Sequence, residues 1–207
     1  IGTHTSPIRL YEDAVAKFPA NVRARRNLAA TYMGVKAYNR AISEYEQAIH
    51  LAPLRLRIRY DLGVALVQSG RAEDALAHFQ YFRTHEPDDV KNLNALGSAY
   101  ARTGQFKNAE SLLREAIAVD DGYAPAYDNL AHLYRIQKKP VAAESMLWHY
   151  LELKPDEPEA HNELGVVMAQ QGRMVDAVEQ FRIAIHLDPD FVEAQDNFER
   201  AIRLLDQ

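Results

Sequence analysis

Apolar residues return along this chain at helical spacing, and one pattern of large, small and polar positions repeats. Prolines mark its period. Pro19, Pro53, Pro87, Pro155 and Pro189 stand 34 or 68 residues apart. The absent member falls at Asp121, followed by Gly122, which is still turn chemistry. Units opened three residues after each proline begin at Val22, Leu56, Val90, Ala124 and Pro158. The seventh place is then Leu28, Leu62, Leu96, Leu130 and Leu164, and the twentieth is Ala41, Ala75, Ala109, Ala143 and Ala177. The eighth is always small: Ala29, Gly63, Gly97, Ala131 and Gly165. The eleventh is large (Tyr32, Leu66, Tyr100, Tyr134, Met168), as is the twenty-fourth (Tyr45, Phe79, Leu113, Leu147, Phe181).

Large residues at places four, seven and eleven predict one apolar stripe on a first helix. Small residues at places eight and twenty let a second helix approach closely, where a larger side chain would overpack the contact. Gly70, Gly104 and Gly172 fall between the two helices, where a left-handed residue is easy only for glycine. Lys36 and Lys138 take that place in two units, which predicts turns of a different shape there. The proline stops the second helix. A period of this length predicts stacked helix–turn–helix units.

The pattern resembles the tetratricopeptide repeat family over residues 7–205, with runs such as YDLGVALVQSGRAEDALAHFQYFRTHEP and HNELGVVMAQQGRMVDAVEQFRIAIHLDP. The resemblance implies an all-α, right-handed solenoid occupying residues 1–207 as a single domain. A lone second-type helix would cover 7–19, and full repeats would cover 22–55, 56–89, 90–123, 124–157 and 158–191. A capping first-type helix would cover 192–205. Phe82 and Tyr150 occupy the twenty-seventh place, where the family prefers alanine, and are expected to wedge neighbouring repeats or alter their curvature.

Composition narrows the chemistry. With 47% apolar and 26% charged residues among 207, the chain has the makeup of a folded protein. It has no cysteine, which excludes disulfides, thiolate metal sites and a cysteine nucleophile. No apolar run approaches the roughly 18–20 residues of a membrane span, so no direct membrane insertion is expected of this segment. Ile1 in the place of Met predicts a piece of a longer protein or a processed product.

Charge is segregated. Residues 1–60 carry ten Lys/Arg and four Asp/Glu, a balance of +6, whereas residues 151–207 carry five and thirteen, a balance of −8. Polarised association with protein, rather than binding to nucleic acid, is the expectation. Arg55, Arg57 and Arg59 alternate with apolar residues at a repeat entrance and lack an aromatic stacking ladder.

No catalytic constellation stands out. The eight histidines have no ligand spacing, and phosphate-loop, nucleophile-elbow and dinucleotide fingerprints are absent, so neither cofactor nor metal nor enzymatic activity is expected. The carboxylate pairs Asp88–Asp89 and Asp120–Asp121 are read as N-terminal helix caps. Trp148 is read as packing on the outer side of a second helix, with a partner contact as the alternative.

The resemblance also implies where a ligand would lie. In the family, places two, five, six, nine, twelve and thirteen of the first helix face a concave groove that takes extended peptides. Here those places put Arg23, Arg26, Asn27, Arg57 and Tyr60 at the N-terminal end, with Asp61 beside them. Lys91, Asn94, Ser98, Arg102, Asp128, Asn129, His132 and Arg135 fall in the centre, and Asn162 among carboxylates at the C-terminal end. Asparagine amides suit a peptide backbone because each donates and accepts. The expected function is a non-catalytic scaffold for a peptide or protein partner, acidic toward the N-terminal end.

Two further readings stay open. The segment PIRLYEDAVAKFPANVRARRNLA, residues 7–29, resembles the start of the repeat region of multi-pass O-mannosyltransferases. That would make the chain an extracytoplasmic tail presenting acceptor protein; otherwise a cytoplasmic home is equally open. Opposite charge at the two ends also allows head-to-tail self-association.

Overall fold

The computed structural model describes residues 7–206, and within them the chain is all α. The helices are α1 (Pro7–Lys17), α2 (Val22–Gly34), α3 (Tyr38–Leu51), α4 (Leu56–Gln68), α5 (Ala72–His85) and α6 (Val90–Arg102). They continue with α7 (Phe106–Val119), α8 (Ala124–Ile136), α9 (Pro140–Leu153), α10 (Pro158–Gln170), α11 (Met174–Leu187) and α12 (Val192–Leu205). The chain forms two compact units, Ile1–Gln105 and Phe106–Gln207. The first contains α1–α6 and the second α7–α12.

The core of each unit is built from the recurring positions. In the first, Leu28, Leu62 and Leu96 are buried with Ala41 and Ala75; in the second, Leu130 and Leu164 are buried with Ala109, Ala143 and Ala177. The alanines lie on the second helices α3, α5, α7, α9 and α11 and are fully enclosed. Place eight is tighter still. A Cβ on Gly63 would stand 2.6 Å from Cε1 of Phe79, and one on Gly165 would stand 2.5 Å from Cε1 of Phe181. Glycine at this place is what admits a phenyl ring from the second helix.

The inter-helix turns share one geometry. Gly70, Gly104 and Gly172 have φ of 85°, 77° and 77°, and Lys36 and Lys138 have φ of 57° and 56°. Around each, one N–H reaches back three residues and the next reaches back five, as in Gly70 to Val67 with Arg71 to Leu66, and Lys36 to Met33 with Ala37 to Tyr32. The lysine turns therefore do not differ in shape, contrary to the sequence expectation. These lysines adopt the left-handed conformation themselves, because the closing hydrogen bonds outweigh the steric cost at their Cβ.

Place four departs from a purely apolar stripe. Arg25 Nε donates to the Pro19 carbonyl at 2.8 Å, and Arg59 Nε donates to that of Pro53 at 3.3 Å. His161 Nε2 lies 3.0 Å from the Pro155 carbonyl, and Gln195 Nε2 donates to that of Pro189 at 2.6 Å. A polar side chain here ties α2, α4, α10 and α12 to the end of the preceding unit, whereas Leu93 and Tyr127 hold the place in α6 and α8. Tyrosines at place eleven make a matching link to the preceding second helix. The Tyr32 hydroxyl donates to Glu12 at 2.7 Å, Gln80 donates to the Tyr100 hydroxyl at 2.5 Å, and Arg114 donates to that of Tyr134 at 2.8 Å.

Of the acidic pairs, only Asp89 is a side-chain cap, accepting from the Asn92 N–H at 2.8 Å. Asp120 instead closes a turn by accepting from Gly122 N–H at 3.0 Å, and Tyr123, the residue before α8, makes no side-chain capping bond. Trp148 is exposed on α9.

Candidate functional site

First helices place the sequence-predicted residues. In the N-terminal unit, Arg23, Arg26 and Asn27 lie on α2, Arg57 and Tyr60 on α4, and Lys91, Asn94, Ser98 and Arg102 on α6. In the C-terminal unit, Asp128, Asn129, His132 and Arg135 lie on α8 and Asn162 on α10.

The structure gathers four of these into one recess. A cavity of about 680 Å³ is lined by Val22, Arg23, Arg26, Asn27, Arg55, Leu56, Arg57 and Ile58. It lies where α2 and α4 begin, so successive hairpins bring their N-terminal arginines side by side. Arg55 completes the set and was not among the sequence-predicted binding residues. It stands at the last place of its unit, outside the first helix, and the alternating Arg55, Arg57, Arg59 run was its only signal. Arg59 turns away, its guanidinium 4.1 Å from the centroid of the Tyr81 ring.

Two of the four guanidiniums carry internal partners. Arg26 donates to Asp61 at 2.7 Å, and this hydrogen bond raises the arginine above its usual range. Arg57 donates to Asp89 at 2.9 Å and lies over the Phe82 ring, 5.2 Å from its centroid. Phe82 is fully buried, and Tyr60 packs against it and Phe79 at centroid distances of 5.9 and 5.8 Å. The ring at place twenty-seven thus seats Arg57. The nearby Tyr45 phenol is pushed up to about 12, first by burial and then by the charge of Asp61, with Arg26 opposing.

In the C-terminal unit the predicted residues make a different set of contacts. Arg135 pairs with Glu163 at 2.7 Å. The Asp128 carboxyl is pushed upward, first by loss of water and then by Glu163, while His132 and Arg135 oppose the shift. Asn162 is buried, donating to Glu193 at 3.2 Å and accepting from Asn197 at 2.9 Å. Its amide holds α12 on α10. Asn129 is half-buried and His132 exposed. Lys91 and Arg102 are exposed at the two ends of α6, with Asn94 and Ser98 half-buried between them.

Among the described residues, no three His, Asp or Glu side chains gather as metal ligands, and no helix is long and apolar enough to cross a membrane. What the N-terminal recess can do chemically is attract an anion through guanidinium forks and a half-buried amide.

Comparison with known proteins bears on what kind of molecule this is. The chain is similar to the human protein O-mannosyl-transferase TMTC1, 28% identical over 176 residues, covering 83% of this chain and 19% of that protein. The likeness extends well beyond residues 7–29. The chain spans about a fifth of the length of TMTC1, and less than a third of each of the other curated relatives it is similar to here. Among solved structures it is similar to PilW, a type IV pilus biogenesis factor, with a TM-score of 0.82 at 22% identity, covering 90% of this chain and 86% of that one. It is also similar to YrrB, described as having an unusual peptide-binding site, with a TM-score of 0.64 at 20% identity over 91% of this chain and 97% of that one. The tetratricopeptide repeat family matches at residues 32–90, 60–125 and 94–190, together most of the sequence. With hairpins of matching period and those matched segments, the chain belongs to the tetratricopeptide repeat family.

Proposed function

We propose that the chain is a non-catalytic interaction scaffold that holds an extended acidic segment of a protein partner against the first helices of its N-terminal unit. The observation carrying this is the recess in which Arg23, Arg26, Arg55 and Arg57 converge beside Asn27. Half-buried, apolar Val22 and Leu56 share the lining and give a peptide side chain something to bury against. The guanidiniums set register and speed encounter, as charge complementarity does at protein interfaces. YrrB, a structural neighbour whose description includes a peptide-binding site, is in keeping with this use of the fold.

The test is charge reversal. Arg26 is a poor choice, because a glutamate there would face Asp61. Arg23→Glu with Arg55→Glu changes two exposed residues instead. Surface plasmon resonance against an acid-rich peptide pool at low salt should show a roughly tenfold lower affinity, mostly through association rate. Unchanged binding by the folded variant would remove the recess from the account.

A second reading rests on the 28% identity to TMTC1 across most of this chain. In it, the chain is the repeat region of a larger glycosyl-transferring protein and presents acceptor protein to an active site elsewhere. Sequencing the full-length transcript decides it: membrane spans ahead of Ile1 would support this reading, and a full-length protein without them would exclude it.

A further inference from the structure

We propose that the arginine recess of the N-terminal unit is a subsite for a phosphoryl group on a serine or threonine side chain of the bound peptide. The proposal rests on the acidic-peptide reading above and names the anion that fits best.

Charge accounting leads there. Of four guanidiniums lining the recess, Arg26 is matched by Asp61 and Arg57 by Asp89. Arg23 and Arg55 have no carboxylate within ion-pair distance among the described residues, so the recess retains a charge near +2. A single carboxylate would neutralise half of it. A phosphomonoester carries about −1.5 to −2 near neutral pH and offers three strong acceptor oxygens to guanidinium forks.

The local backbone adds to the same imbalance. Val22–Arg23 and Leu56–Arg57 are the opening residues of α2 and α4, and neither helix has an acidic residue in its first turn. The starting residue before α4 is Arg55, which makes no side-chain capping bond. Acidic residues, the ordinary complement to the positive end of a helix dipole, open α5, α10, α11 and α12, while the other helices share their absence with α2 and α4. Arginines at that end repel it, and an anion seated between them would relieve both the dipole and the arginines.

The occupant is a peptide rather than a lipid headgroup or a free ion. The recess is large for one phosphate at about 680 Å³, and Val22, Leu56, Ile58 and the Asn27 amide line the remainder. Those groups suit the neighbouring side chain and backbone of an extended chain.

The experiment uses fluorescence anisotropy with three labelled peptide pools, degenerate except at a central phosphoserine, glutamate or serine. The phosphoserine pool should bind about tenfold more tightly than the glutamate pool. Arg23→Gln with Arg55→Gln should erase that difference while helical content and melting temperature hold. A second variant, Asp61→Asn, leaves Arg26 unneutralised and should widen the difference. If glutamate and phosphoserine pools bind equally, the phosphoryl subsite is wrong and the acidic-peptide reading stands. If no pool binds, both are wrong. Sedimentation with phosphoinositide vesicles, without binding to any pool, would assign the recess to a membrane and overturn the proposal.

Discussion

Arg26 on α2 donates from Nε to Asp61 on α4 at 2.7 Å, joining the first helices of consecutive hairpins across 35 residues of sequence. Asn197 reaches Asn162 at 2.9 Å over the same separation in the C-terminal unit. In both, a residue at place five meets a residue at place six of the next unit. Places expected from the sequence to face a ligand therefore also link successive hairpins.

Asp61→Asn separates these two roles. Arg26 is half exposed, so losing its ion pair should cost under about 1 kcal/mol of stability by urea denaturation. The same change raises the charge of the recess, and affinity for an acid-rich peptide pool should increase several-fold. A large loss of stability with no gain in affinity would show that the pair is structural alone.

Gly63→Ala places a methyl group 2.6 Å from the Phe79 ring, and the stacked hairpins leave that ring little room to retreat. Destabilisation of about 1–3 kcal/mol is expected. Gly34→Ala is the control, because a Cβ there meets nothing within 4 Å. It should be neutral or stabilising by up to about 1 kcal/mol. Equal thermal melts for the two variants would contradict the packing account.

Lys36 and Lys138 hold left-handed backbone that costs a non-glycine residue roughly 1–2 kcal/mol. Glycine removes that strain and adds about 0.5–1 kcal/mol of unfolded-state entropy. Lys36→Gly and Lys138→Gly should each stabilise the chain by up to about 1 kcal/mol in chemical denaturation. Destabilisation would mean that the lysine side chains hold these turns.

The repeat was legible because its signal is periodic and steric. Five leucines and five alanines at fixed places leave few other folds, and each lies buried where the spacing puts it. The place-four ties were not legible. Arg25, Arg59, His161 and Gln195 share no chemistry beyond an N–H that reaches a proline carbonyl six residues back. The left-handed lysines were missed for a related reason: side-chain preference argues against the conformation, and backbone hydrogen bonding decides it. At the site, the first-helix places selected Arg23, Arg26, Asn27 and Arg57, which do line one recess. They omitted Arg55, whose place belongs to a loop, and gave no sign that Asn162 bonds Glu193 and Asn197.

His78 is expected to give the fold an acid dependence. Its Nδ1 is buried without a hydrogen-bond partner. Burial first, and the charge of Arg59 second, push its imidazole below the ordinary 6.5, with Glu46 and Asp74 opposing. The unfolded chain therefore takes the proton first. The contribution of neutral His78 is intact above about pH 6.5 and is lost as pH falls toward the folded value. Between pH 7 and 5 the wild type should lose more stability than His78→Gln; parallel curves would show that His78 is not the titrating group.

The most direct test of peptide binding at the N-terminal recess is an amide NMR titration of the whole chain with an acid-rich extended peptide pool. The account predicts shifts concentrated at Arg23, Asn27, Arg55, Leu56 and Arg57, at the starts of α2 and α4. Shifts confined to the second helices α3 and α5, or to the C-terminal unit, would contradict it.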